Sequence, residues 1–158
     1  MSIPETTFTA EPGSHVATTV AVVDAPKAAV YRAYTEADLL VRWWGPRELT
    51  SKVERFEAVT GGSWRVVHVD PAGGEYGFGG VYHEVSADRI VNTFEFDGAP
   101  GHVSLESVTF EEVDGKTRVS SLSVFQSVED RDAMAASGMA EFAPIGMAQL
   151  QEVAASLA

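Results

Sequence analysis

Apolar and polar residues alternate along most of this chain, and the alternation predicts a protein built mainly of β-strands. Ala17–Asp24 has the pattern of a first strand. Six more strand candidates follow it after a gap: Lys52–Ala58, Ser63–Asp70, Glu75–Val85, Arg89–Phe96, His102–Val113 and Lys116–Phe125. Turns such as Asp114-Gly115 are too short for a crossover connection, so the strands that they join are predicted to be antiparallel.

Two short helices are predicted in the gap after the first strand. Pro26 suits a helix start, because its missing N–H is not needed in a first turn. The run Thr35–Asp38 has the pattern of a capping box and predicts a second helix at a new angle. This helix should end at Trp43-Trp44, because Gly45-Pro46 follows at once.

The last part of the chain, Val128–Ala158, has the spacing of an amphipathic helix. Its apolar stripe repeats every three or four residues: Met139, Phe142, Gly146, Leu150, Val153 and Leu157. Pro144 removes an amide donor and predicts a kink. Gly146 has no side chain on the buried stripe. Together they predict free volume between this helix and the sheet.

This order of elements is that of a helix-grip fold, in the α+β class. The expected architecture is an antiparallel sheet of about seven strands curved around the long C-terminal helix, with two short helices after the first strand. Residues 1–14 show no sustained periodicity and are interpreted as an N-terminal arm, and residues 15–158 as a single domain.

Charge and composition narrow the classes of function. The net charge is −12 with only 11 basic residues in 158, which opposes nucleic-acid binding. No apolar stretch approaches the roughly 20 residues of a membrane span, and the N-terminus lacks a leader pattern. A cytoplasmic protein without a membrane span is therefore predicted. Cysteine is absent, which excludes disulfides and thiol catalysis.

Short motifs spread along the chain resemble one known family. They are Pro26, Val30, Trp43–Pro46, Gly61-Gly62 before Trp64, Gly80–Tyr82, Arg89-Ile90, Thr117–Val119 and Ser137–Met139. In this order they resemble the activator of heat-shock-protein-ninety ATPase homologue family, within the START and birch-pollen-allergen-like (SRPBCC) superfamily, over about residues 15–158. The resemblance implies the helix-grip fold. It also implies a ligand cavity, since superfamily members bind lipids, sterols, polyketides and hormones, and some are cyclases.

The chain departs from the family pattern in its last helix. Relatives usually have a glycine where this chain has the ring of Phe142, and their helix has no proline where this chain has Pro144. The resemblance therefore implies a pocket of altered size or shape.

The candidate site is the set of residues expected to line this cavity. They are Trp44, Trp64, Val66, His68, Tyr82, Phe94, Phe96, Phe110, Met139, Phe142 and Gly146. Rings around a cavity favour a flat or apolar ligand. The alternative interpretation is that the same rings simply fill the core.

Polar strand residues are a second set of candidates. His68 shares a strand face with Trp64, and it could meet His83 and Glu106 to form a metal site or a general base. The histidine spacing fits no known ligand set, so no metal and no cofactor is predicted. An inward-facing Glu106 or Arg65 would be a functional candidate, because an unpaired buried charge costs several kcal/mol.

Three functions remain open from the sequence. The leading hypothesis is a soluble domain that binds a small apolar or aromatic molecule, lipid-like or polyketide-like. The first alternative is a polyketide cyclase or aromatase-type enzyme that uses the same cavity, with catalytic residues unknown. The second is a co-chaperone-like protein-interaction module. A homodimer is a further hypothesis.

Overall fold

One curved antiparallel sheet contains all the strands of the structure, a computed structural model that describes residues 3–157. The strand order is β1-β2-β8-β7-β6-β5-β4-β3. The bounds are β1 Thr6–Thr9, β2 Val16–Val23, β3 Thr50–Phe56, β4 Ser63–Val69, β5 Glu75–Val85, β6 Arg89–Phe96, β7 Val103–Val113 and β8 Lys116–Val124. Each hydrogen-bonded pair of neighbours is antiparallel.

The helices are α1 (Lys27–Thr35), α2 (Ala37–Leu40), α3 (Val128–Met134) and α4 (Ala140–Ala155), and a π-helical turn, Ala135–Met139, joins the last two. The predicted α+β helix-grip fold is therefore confirmed. No described helix is long and apolar enough to cross a membrane. Residues 1, 2 and 158, the ends of the predicted arm and terminal helix, lie outside the described residues.

The sheet has eight strands, where about seven were predicted. The added strand is β1, which lies inside the segment interpreted as an arm and pairs with β2 through Phe8 and Thr19. Four residues are too few to show a periodicity in the sequence.

A side chain caps the start of one helix but not of another. Ser127 caps α3, since its Oγ accepts a hydrogen bond from the Asp130 amide at 3.0 Å. The predicted capping box at Thr35 is wrong. The Thr35 hydroxyl donates back to the Tyr31 carbonyl at 2.9 Å, and the Glu36 carboxylate pairs with Arg32.

The last helix is interrupted at Gly138, which has a φ of +101° in the π-helical turn. Pro144, at which a kink was predicted, lies inside α4. Glycine accepts this left-handed conformation without the steric cost that a Cβ would add. The two parts of the segment, α3 and α4, are therefore joined at an angle over the sheet.

The tightest packing lies between the second half of α4, helix α1 and the sheet. Leu150, Val30 and Val66 have no solvent exposure, and Val119 and Val153 have almost none. These side chains come from two helices and two strands, so they connect the layers of the fold into one core.

Candidate functional site: a ring-lined cavity beneath the C-terminal helix

The corner after α2 positions Trp44 over the concave face of the sheet. The Gln149 side-chain amide of α4 donates to the carbonyls of Trp43 at 2.8 Å and Gly45 at 3.1 Å. The Trp43 indole donates in turn to the Ala33 carbonyl at 2.9 Å. Three hydrogen bonds thus tie the corner to two helices.

Gly45 lets this corner approach His68 closely. Its φ is +95°, and a Cβ at this position would lie 2.3 Å from His68 Cε1. No side chain fits in that space. The turn and the ring of His68 are therefore in direct contact.

Trp44 is the centre of a cluster of rings. Its centroid lies 5.7 Å from that of Trp64, 5.0 Å from His68, 5.5 Å from Phe78 and 6.3 Å from Phe94, all in edge-on geometry. Phe78 also stacks on Phe94 at 5.5 Å. The rings carried by the strands, Trp64, His68, Phe78 and Phe94, form one wall of a cavity, and the Trp44 ring contacts this wall edge-on.

The cavity lies between this wall and the last helical segment and has two adjoining chambers. The outer chamber has a volume of about 820 Å³, and its lining includes the exposed residues Tyr76 and His102. The inner chamber, of about 620 Å³, extends over the middle of the sheet. Trp44, Phe94 and Phe142 line both chambers.

Nine of the residues singled out in the sequence line one or both chambers: Trp44, Trp64, His68, Tyr82, Phe94, Phe96, Met139, Phe142 and Gly146. Val66 and Phe110 do not line either chamber. Val66 is fully buried in the core, and Phe110 is 3% exposed and packs its ring against Tyr34 at 5.1 Å. Their inward orientation was foreseen, but they lie below other side chains.

Phe142 and Gly146 form a pair on the first part of α4. A Cβ on Gly146 would lie 3.1 Å from Cε2 of Phe142, so the ring covers the glycine. Gly146 was expected to leave a hole in the apolar stripe. The missing side chain gives room to the Phe142 ring, and both residues line the inner chamber.

A row of polar side chains crosses the floor of the inner chamber. Tyr82, Asn92, Glu106 and Ser123 occupy paired positions on four neighbouring strands, β5 to β8. Residues that pair across strands present their side chains on the same face of a sheet. A polar band therefore lies inside an otherwise apolar cavity.

Glu106 is the acidic group of this row. Its two carboxyl oxygens are each 2.6 Å from a serine hydroxyl, Ser104 on β7 and Ser123 on β8. Burial raises the pKa of the Glu106 carboxyl above its ordinary value, and the two serine hydrogen bonds oppose that rise. No ion pair of Glu106 is found among residues 3–157.

His68 and Trp64 each hold a buried nitrogen without a partner. His68 Nε2 and Trp64 Nε1 make no hydrogen bond within the described part of the chain. Burial lowers the pKa of the His68 imidazole below its ordinary value, which favours the neutral ring. Both groups belong to the cavity wall, where packing is incomplete.

Other sequence candidates lie apart from the cavity. Arg65 faces outward and pairs with Glu54 at 2.8 Å and with Asp97 at 2.6 Å. His83 is exposed and does not meet His68, which pairs with Tyr76 across the hairpin. Within residues 3–157 no group of three or more metal-binding side chains lies together. The absence of a metal stays a prediction.

Ser104, Ser123 and Met134 also line the cavity but were not singled out in the sequence. The alternation of inward-facing and outward-facing residues along the strands would have identified most of them. Ser104, Glu106 and Val108 follow one another on the inward face of β7, as do Ser121, Ser123 and Phe125 at the end of β8. Small polar residues on an inward face point to space that apolar side chains do not fill.

The fold and the cavity together define a helix-grip protein with a chamber under its last helix. A family model described as Activator of Hsp90 ATPase homolog 1-like protein matches residues 24–155. The chain therefore belongs to this family, and the resemblance stated from its motifs is confirmed. A search of curated proteins finds no significant match.

Solved structures share the architecture over nearly the whole chain. A crystal structure from Rhodobacter sphaeroides is 25% identical, covers 98% of this chain and 100% of that one, and has a TM-score of 0.86. Solution structures from Arthrobacter aurescens (24% identity, 95% and 91% covered, TM-score 0.85) and Staphylococcus epidermidis (23%, 95% and 95%, 0.81) are also similar. These similarities support the fold and do not by themselves assign a function.

Proposed function

We propose that this protein binds a small apolar or aromatic molecule in the cavity between the sheet and the last helical segment. The observation that carries the proposal is the ring-lined wall formed by Trp44, Phe78 and Phe94 beside an unfilled outer chamber. Rings that are only partly buried inside a protein lose contacts that a ligand would restore.

The size of the chambers supports this function. Ligand pockets are typically about 300–1,000 Å³, and the outer chamber alone has about 820 Å³. The lining is mostly aromatic and aliphatic, with a few polar groups such as Glu106 and Asn92 that would orient a ligand. This combination is typical of small-molecule sites.

An enzyme of the cyclase or aromatase type is the second candidate. It requires a titratable group within reach of the ligand, and Glu106 and His68 both line the cavity. Burial raises the pKa of Glu106 and lowers the pKa of His68, and both shifts favour the uncharged forms of these side chains. Such a pair could move protons during a ring closure.

Binding can be tested by filling the inner chamber from the sheet side. Ser121 lines that chamber, whereas its neighbour Ser120 does not, because successive strand residues point to opposite faces. The probe is N-phenyl-1-naphthylamine, a neutral fluorescent aromatic molecule. We expect the wild-type protein to bind it, Ser121→Phe to weaken binding by about tenfold or more, and Ser120→Phe to leave it unchanged.

The result that overturns the proposal is a wild-type protein that does not bind the probe, or equal losses in the two variants. Native mass spectrometry of the purified protein is a complementary measurement. A retained small molecule of defined mass, absent from Ser121→Phe and present in Ser120→Phe, would identify the ligand directly.

A further inference from the structure

We propose that the inner chamber binds the protonated amine of an aromatic or apolar molecule, with the carboxylate of Glu106 as its counter-ion. This inference rests on the proposed binding function and specifies the class of ligand. It follows from the charges of the lining, from the hydrogen-bond donors and acceptors of the chamber floor, and from the position of Glu106 beside the rings.

The cavity has acidic groups but no permanent cation. Among the described lining residues of both chambers there is no lysine and no arginine, whereas Asp70, Glu106 and Asp130 are present. Asp70 accepts hydrogen bonds from two backbone amides and Tyr76, and Asp130 contacts His102 at 2.8 Å. Glu106 lies in the inner chamber and has only the hydroxyl groups of serines as partners.

An anionic ligand does not fit this chamber. A carboxylate or phosphate bound here would face Glu106 without any cation in the lining, and like charges at close range in a desolvated site repel strongly. The whole chain carries a net charge of −12, which also lowers the local concentration of anions and raises that of cations.

The floor offers free hydrogen-bond acceptors around Glu106. The hydroxyl groups of Ser104 and Ser123 both donate to the Glu106 carboxyl, which leaves the lone pairs of both oxygens available as acceptors. The Asn92 side-chain NH₂ donates to the Thr93 carbonyl at 2.9 Å, so its Oδ1 stays free as an acceptor. An ammonium group has two or three donors and no acceptor, which complements this floor.

The rings beside Glu106 suit a cation as well as an apolar body. Phe94 is the diagonal neighbour of Glu106, because Asn92 pairs directly with Glu106 and Phe94 follows two residues later on β6. Trp64 lies 6.1 Å from Phe94, and Trp44 lies 5.7 Å from Trp64. Tryptophan and phenylalanine faces attract cations through their ring quadrupoles.

A bound amine would also satisfy Glu106 itself. A buried carboxylate without a positive partner is unfavourable, and a cation within hydrogen-bond distance removes most of that penalty. The apolar part of the ligand would then extend along Phe94 toward the outer chamber. One elongated ligand would therefore place its ammonium group at Glu106 and its apolar part against the rings of the cavity wall.

Three ligands with one ring system test the proposal by titration calorimetry near neutral pH. They are 2-(1-naphthyl)ethylamine, 2-(1-naphthyl)ethanol and 1-naphthylacetate, which differ in charge. In the wild-type protein we expect the amine to bind at least about tenfold more tightly than the alcohol, and the acetate to bind most weakly.

Two variants assign the preference to Glu106. Glu106→Gln keeps the shape but removes the charge, and it should bring amine affinity to within about threefold of alcohol affinity. Glu112→Gln removes the same charge from an exposed position on the same strand, and it should keep the preference for the amine. This control distinguishes a direct contact between the amine and Glu106 from the general attraction of cations to a negatively charged protein.

The possible outcomes separate this inference from the function on which it rests. If the alcohol binds as well as the amine to the wild-type protein, or if the preference survives Glu106→Gln, the amine proposal is wrong and the binding function stands. If none of the three ligands binds, both fail. The comparison within the wild-type protein needs no variant, so a folding defect in Glu106→Gln would not prevent the test.

Discussion

The two parts of the C-terminal helical segment differ in how they meet the sheet. In the second half of α4, Leu150 has no solvent exposure and Val153 has 2%. In the first part, Met134 before the π-helical turn, Met139 at its end and Phe142 near the start of α4 are only half-buried and border the cavity. One continuous segment thus has a closely packed end and a loosely packed end.

This contrast shows how one fold can combine a stable core with an open cavity. Close packing near Leu150 accounts for stability, because dense cores gain dispersion contacts and exclude water. The other end loses such contacts, and its break at Gly138 turns α3 away from the axis of α4. Glu106 and His68 both line the cavity below the open end.

The largest effect is expected at the packed end. Leu150→Ala should lower the free energy of unfolding by about 3–5 kcal/mol, near the upper part of the usual range, because the site is fully buried. Urea denaturation measures the loss, and binding of the neutral naphthylamine probe should persist in the folded fraction. A loss below about 1 kcal/mol would show that this end is not densely packed.

A smaller effect is expected at the open end. Phe142→Ala should cost distinctly less than the about 3–5 kcal/mol typical of a packed phenylalanine, because the ring borders both chambers and part of its surface has no protein contact. The enlarged cavity should also bind bulkier apolar probes more tightly. Urea denaturation and fluorescence titration measure the two changes.

The control for this prediction is Ile145→Ala on the same helix. Ile145 is 52% exposed and does not line either chamber, so neither stability nor probe affinity should change much. A large destabilisation by Phe142→Ala without any gain in probe binding would show a filled core. The comparison between the two ends would then fail, and the proposed function would lose its main support.

Much of this fold could be predicted because it follows from local patterns. Alternation over seven or more residues located strands β2 to β8, and the Asp114-Gly115 turn set the antiparallel pairing of the last two. Strand β1 was missed because four residues carry too little periodicity. The kink was expected at Pro144, since a proline is visible in the sequence whereas the backbone angle of Gly138 is not.

The sequence could predict on which face of the sheet a candidate residue lies, but not how deeply its side chain is buried. Alternation places Phe110 and Val66 on the inward face, yet both lie under other side chains. Depth depends on which helix covers each row of the sheet, and that is a long-range property. Glu106 shows a second limit of prediction from the sequence. Its side chain faces inward because β7 has no bulge in its pairing with β6, and the sequence does not reveal where bulges occur. Its serine partners lie on two strands.

The smallest effect concerns His68 and its response to pH. Burial depresses the pKa of His68 in the folded protein, so the unfolded chain takes up this proton first as the pH falls. The contribution of His68 to stability is therefore present above the ordinary pKa of 6.5 and is lost as the pH falls through the lower folded value.

Relative to His68→Gln, the wild-type protein should lose stability from about pH 7 downward, by at most about 1.4 kcal/mol per pH unit for one proton. Urea denaturation of both proteins across this range measures the difference and cancels the titration of distant groups that the two proteins share. Parallel curves would mean that His68 titrates as it does in the unfolded chain, and hence that the wall around Trp44 is open to water. An apolar ligand bound beside the ring should steepen the wild-type curve, because the ligand removes the remaining solvent from the imidazole.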